Sequence, residues 1–120
     1  MAFEISIRRE FSASHQLRLP DGTLEPLHGH NWVVKVVVGA ASLDSMGVVM
    51  DFHELERIVD GVVTPMHNRH LNELTAFSAA NPSAENVALH VARNVGLPAG
   101  IKLISVEVWE TEGCSAVYRA

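Results

Sequence analysis

His28-Gly29-His30-Asn31-Trp32-Val33-Val34-Lys35-Val36-Val37-Val38-Gly39-Ala40 is the stretch on which the fold turns. Five valines between positions 33 and 38, interrupted by Lys35, are β-branched and favour a strand. The run reads as a strand buried on both faces. If the extended conformation reaches back to His28, positions i and i+2 project from one face, so His28 and His30 stand side by side. His15 is then free to close the triangle from a neighbouring strand. Three neutral imidazoles with an open fourth position form the ligand set of a catalytic zinc rather than a structural one. Such a metal polarises a carbonyl or hydroxyl, or lowers the pKa of a bound water. The alternative is three unrelated surface or core histidines, and the third histidine weighs against it.

The flanking segments define the rest of the sheet. Phe3, Ile5 and Ile7 alternate with Glu4, Ser6 and Arg8, a half-buried strand. Gly39 to Gly47 supplies turn chemistry, and Gly47-Val48-Val49-Met50 reads as the return strand of a hairpin. Asp51 stands at the N-cap of a helix whose apolar positions are Phe52, Leu55, Val59 and Val62, with Glu54, Glu56 and Arg57 toward water. A loop spans Pro65 to Leu74. Asn81 then caps a second helix with Pro82 at its first position. Val87, Val91 and Val95 form its buried stripe, and Gly96 and Pro98 end it. Ile104, Val106 and Val108 alternate with Ser105, Glu107 and Trp109 in a third long strand, and a fourth runs through Ser115 to Arg119. The order predicts an α+β fold, an antiparallel sheet with two helices on one face. The second face and the sheet edges still need covering. Cyclic assembly of subunits into a barrel would cover both.

The chain has 120 residues, 48% hydrophobic and 19% charged, with a formal charge of -5. That fits one globular domain, 1–120, with one core. No basic stripe points to nucleic acid, and no polybasic segment or long apolar run points to a membrane. The N-terminus alternates at once, without a signal-peptide profile. Cys114, the single cysteine, has no internal disulfide partner. These features predict a reduced, cytoplasmic location.

Six motifs occur in order: Phe11-Ser12-Ala13-Ser14-His15, Leu27-His28-Gly29-His30-Asn31, Val48-Val49-Met50-Asp51-Phe52, Leu71-Asn72, Asn81-Pro82-Ser83-Ala84-Glu85-Asn86 and Val108-Trp109-Glu110-Thr111. Together they cover nearly the whole chain. The sequence resembles the 6-pyruvoyl-tetrahydropterin synthase and 6-carboxy-tetrahydropterin synthase family. The resemblance implies the tunnelling fold (T-fold), with a four-stranded antiparallel sheet and two helices per subunit. It also implies trimeric barrels stacked as a homo-hexamer, with active sites between subunits. It implies a zinc held by His15, His28 and His30 that binds the side chain of a small-molecule pterin, 7,8-dihydroneopterin triphosphate. Glu110 matches the residue that anchors the pterin ring, a role suited to a carboxylate because it accepts two hydrogen bonds from the ring's amino group and adjacent N–H. Ser83, Glu85 and Thr111 fall in stretches that match the pterin pocket, although helix capping explains the first two equally well.

The catalytic positions depart from the family. Pro20 to Leu27 lacks the family's cysteine. His67 stands where the family has aspartate, and Asn68 where it has histidine. Asparagine is no general base, and histidine does not orient a partner as a carboxylate does. Efficient 6-pyruvoyl-tetrahydropterin synthesis is therefore not expected. Glu25, three residues before His28, resembles a family branch in which glutamate replaces the cysteine. That branch cleaves the substrate side chain to a hydroxymethyl-dihydropterin. Glu25 is then the candidate base, with His67 or His70 as candidate acid. Three readings stay open: a zinc-dependent lyase using Glu25, a pterin enzyme with another reaction, and a non-enzymatic pterin or purine binder.

Overall fold

The computed structural model describes residues 1–120. Strand β1 (Phe3–His15) pairs antiparallel with β2 (His28–Ala40) along its full length, from Phe3 opposite Ala40 to His15 opposite His28. Helix α1 (Phe52–Val63) follows, then a turn of 3-10 helix at Thr64–Met66 and a two-residue strand, β3 (Arg69–His70). Two further 3-10 turns lead to α2 (Ala84–Asn94), and the hairpin of β4 (Lys102–Thr111) and β5 (Cys114–Arg119) closes the chain. The sheet order is β3-β1-β2-β4-β5. The four long strands are antiparallel neighbours, as expected, while β3 adds a short parallel pairing to Ala13 and Ser14 on the outer edge of β1. The sheet is thus mixed, with one more strand than predicted.

Both helices cover one face, α1 over β1 and α2 over β4 and β5. Beneath them Phe11, Trp32, Val34, Val36, Val38, Val106 and Val108 meet Leu55, Val59, Val87 and Val91 in one core. Each such valine or leucine taken from water contributes about 1.5–3 kcal/mol of transfer free energy. The valine run does not bury both faces of the single chain. Val34, Val36 and Val38 are buried, whereas Val33 and Val37 are only partly covered on an open face shared with Lys35. Period-two alternation assigns the even positions to the core, and no second layer covers the odd ones.

Several local expectations are corrected. Gly47 to Met50 forms a turn rather than a return strand. The Asp44 carboxylate accepts the N–H groups of Met46 and Val48, and Gly47 takes φ 78°, so a side chain replaces the ladder. Asp51 does cap α1, accepting from the His53 N–H at 2.8 Å, but Phe52 points outward and is 54% exposed. In the second helix Ser83, not Asn81, is the N-cap, its hydroxyl accepting from the Asn86 N–H at 3.1 Å, and Pro82 precedes the cap. Val87 and Val91 are buried as predicted, while Val95 lies past the helix end and is only partly covered. No helix is long and apolar enough to cross a membrane.

Candidate metal centre and active site

The β1–β2 register places His15 opposite His28 and Ala13 opposite His30. Alternation then projects all three imidazoles from the helix-covered face at the open end of the sheet. Their candidate ligand atoms all lie within 4.8 Å of one another. His15 is 1% exposed, and its ring meets those of His28, His30 and Trp32 edge-on at centroid distances of 4.5, 5.1 and 4.8 Å. Trp32 forms the floor, its indole N–H donating to the Ala13 carbonyl at 3.1 Å.

The donor set fits a metal. His15 Nδ1 lies 2.7 Å from the Pro82 carbonyl oxygen and His28 Nδ1 lies 2.8 Å from that of Pro26. A carbonyl only accepts, so each Nδ1 carries the proton and each Nε2 presents a lone pair. That is the arrangement by which backbone carbonyls orient metal-binding histidines. The Nε2 atoms of His15 and His30 are buried without any hydrogen-bond partner. Such orphans are costly unless something fills the space between them. Tetrahedral zinc with Zn–N bonds of about 2.0–2.1 Å spaces its nitrogens about 3.4 Å apart, a modest contraction of the present cluster. Removal from water holds the His30 pKa below the usual histidine value; the Glu110 carboxylate opposes this, and His15 and His28 add to it. The net effect favours the neutral ring that a metal needs.

Two carboxylates join the cluster. Glu110 is the extra residue of a β-bulge, because Trp109 pairs with Ser115 and Thr111 with Cys114. Bulges re-aim side chains. This one sets the Glu110 oxygens 4.0 Å from His15 Nε2 and 3.9 Å from His30 Nε2. Both separations exceed hydrogen-bonding distance, so the carboxylate keeps its acceptor capacity. Glu25 Oε1 lies 3.8 Å from His28 Nε2 and accepts the Leu17 N–H at 3.0 Å.

The loop carrying Glu25 is held by side-chain amides that imitate strand pairing. Asn72 accepts from the Gln16 N–H and donates to the Gln16 carbonyl, at 2.9 and 2.7 Å. Asn81 does the same for Arg18, at 2.7 and 3.1 Å. Gln16 in turn donates to the Glu25 carbonyl. These roles, and the carbonyls of Pro26 and Pro82, escaped the sequence reading. Leu71-Asn72 and Asn81-Pro82 stood out as motifs, but nothing local reveals which backbone they serve.

The other candidates sit elsewhere within the protomer. His67 Nδ1 accepts the Ser12 N–H at 3.1 Å, sealing the edge of β1. His70 meets the Ser14 hydroxyl at 3.0 Å, on the sheet face opposite His15. The Ser83 hydroxyl is engaged as the helix cap, Glu85 is exposed on α2, and Thr111 is exposed at the end of β4. The single chain therefore unites Glu25 and Glu110 with the three histidines, but not His67, His70 or Glu85.

The model of the family described as 6-pyruvoyl tetrahydropterin synthase matches residues 4–120. A relative from Pyrococcus furiosus named dihydroneopterin monophosphate aldolase is 36% identical over 112 residues, 92% of this chain and 91% of its own length. The 6-pyruvoyl tetrahydrobiopterin synthase of Homo sapiens is 28% identical over 137 aligned positions, covering 97% of this chain and 90% of that protein. The solved structure of the Caenorhabditis elegans 6-pyruvoyl tetrahydropterin synthase superposes with a TM-score of 0.81 at 24% identity, covering 98% of this chain and 95% of the other. Fold and sequence agree: the chain belongs to the 6-pyruvoyl tetrahydropterin synthase family.

Proposed function

We propose that this protein is a lyase that cleaves the side chain of a 7,8-dihydroneopterin phosphate by a retro-aldol reaction, with Glu25 as general base. The observation that carries this reading is the Glu25 carboxylate, 3.8 Å from a metal-competent imidazole nitrogen in a loop without cysteine. The 36% identity to a protein named for an aldolase reaction supports the same chemistry.

A zinc ion held by His15, His28 and His30 would supply Lewis acidity toward the substrate's side-chain oxygens. Glu25 takes the proton from the hydroxyl on the second side-chain carbon. The bond between the first and second side-chain carbons breaks as the aldehyde forms. Its electron pair passes into the ring's imine, giving an enamine, and the first carbon then regains a proton. Atoms and electrons balance without an oxidant: the products are a 6-hydroxymethyl-dihydropterin and a glycolaldehyde phosphate. The free Glu110 carboxylate accepts from the ring's amino group and adjacent N–H and fixes its orientation. Incubation with 7,8-dihydroneopterin mono- and triphosphate, followed by chromatography of the pterins, should yield the hydroxymethyl product and little 6-pyruvoyl compound. Tight pterin binding without turnover would instead identify a binding protein.

The open sheet face, the unpaired edge of β5 and the stretch of β1 before Ser12 that β3 leaves uncovered support assembly as a hexamer of two trimeric barrels. Light scattering at micromolar concentration should give a mass near six chains, and a monomer would remove that assembly.

A further inference from the structure

Beside β3, where Ser12, Ser14 and Asn31 face away from the three imidazoles, lies a recess of about 500 Å³. It is lined by Ser12, Ser14, Asn31, Asn68, Arg69 and His70, with Ala13, Gly29 and the metal-ligand candidate His30 completing the wall, and no carboxylate borders it. In a chain with 14 acidic residues and a charge of -5, a recess edged by an arginine and no acid is a local reversal of sign. The hydrogen bonds leave donors over. The Ser12 hydroxyl donates to Asn31 Oδ1 at 2.6 Å, which consumes the acceptor of that amide and leaves its NH2 group free. The Ser14 hydroxyl stands 3.0 Å from His70 Nδ1, and whichever of the two donates, one donor is left over, either the His70 Nε2–H or the Ser14 O–H. Arg69 adds a guanidinium, which carries donors only. The loop is fixed in place: Asn68 adopts φ 58° in the left-handed region and donates its N–H to the Ser12 carbonyl, while Arg69 and His70 pair with Ala13 and Ser14. A non-glycine residue held there marks a conformation imposed by its surroundings.

The geometry points to an oxyanion site here, one that takes a phosphate group and is built from Arg69, His70 and Asn31. The proposal rests on the function above only in naming the source of that phosphate, the phosphorylated end of the pterin substrate presented from a neighbouring subunit. The chemistry of the recess stands without it.

Inorganic phosphate titrated into the intact protein, followed by backbone amide NMR, should shift Ser12, Ser14, Asn31, Arg69 and His70 together. Arg69 is exposed and on the rim, so Arg69→Gln keeps the fold and should weaken phosphate binding roughly tenfold or more, as loss of a charge-assisted contact does. Arg69→Lys should restore part of it. No shift in these amides, or an unchanged phosphate affinity in Arg69→Gln, would overturn the site whatever the reaction proves to be. With pterin substrates, Arg69→Gln should raise KM for the phosphate ester and leave binding of unphosphorylated dihydroneopterin unchanged. If inorganic phosphate binds at Arg69 but the two pterins respond equally, the site is kept and the substrate's phosphate is excluded as its occupant.

Discussion

Glu25→Gln should reduce turnover of a dihydroneopterin phosphate by about 10²–10⁴-fold while leaving pterin affinity almost unchanged. The substitution is chosen for what it preserves. The Glu25 side-chain oxygen accepts the Leu17 N–H, and this bond holds the loop back against β1. Glutamine keeps a carbonyl oxygen for that bond but has no basic site, so the loss falls on kcat rather than on folding or KM. Glu25→Ala removes the acceptor as well, so it should show the same loss of kcat with an additional loosening of the loop. A Glu25→Gln enzyme that turns over at the wild-type rate would assign the base elsewhere, with Glu110 the nearest remaining carboxylate. Loss of pterin affinity equal to the loss of kcat would make Glu25 a positioning residue instead.

Legibility in the sequence followed the range of the forces involved. The long strands are written in local alternation, and the even-numbered valines of β2 are buried as that alternation requires. The histidine cluster was legible because His-x-His in a strand fixes two directions at once, and the antiparallel register with β1 supplies the third. Competition between side chain and backbone was harder to see. The Asp44 carboxylate captures two N–H groups and prevents the hairpin that Val48 and Val49 favour by propensity. In Asn81-Pro82-Ser83 two residues can cap a helix; the choice of Ser83 is decided far away, where Arg18 engages the Asn81 amide. Glu110 was assigned by resemblance alone, because a bulge is a property of two strands and β4 read singly does not announce it. His67 and His70 are candidates through the alignment of their segment with the family's catalytic aspartate and histidine and through the near-neutral titration of imidazole. Their places along β1 follow from the docking of a loop whose turn depends on one left-handed asparagine.

Removal of metal should produce the other large effect. Protein prepared without chelator should carry about one zinc per chain, and His15→Ala or His28→Ala should abolish it. The two substitutions differ in their collateral cost. His15 is buried, and its loss leaves the Pro82 carbonyl without its partner, whereas His28 is more exposed and bonds a carbonyl two residues away in its own loop. His28→Ala therefore isolates the metal's contribution better. A ligand present at about a thousandfold above its dissociation constant stabilises the native state by about 4 kcal/mol, so chelation should lower the melting temperature of the wild type markedly and that of His28→Ala hardly at all. The effect should depend on pH with a definite sign. Metal requires unprotonated imidazoles, and desolvation lowers the pKa of His30, so that ligand resists protonation to a lower pH than a free histidine does. The contribution of His30 to that stabilisation should accordingly be complete above the ordinary histidine range and decline only as pH falls through its lowered pKa. Zinc content below about a tenth per chain after reconstitution, together with a melting temperature indifferent to chelator, would leave the orphaned nitrogens of His15 and His30 to be satisfied by something other than this metal.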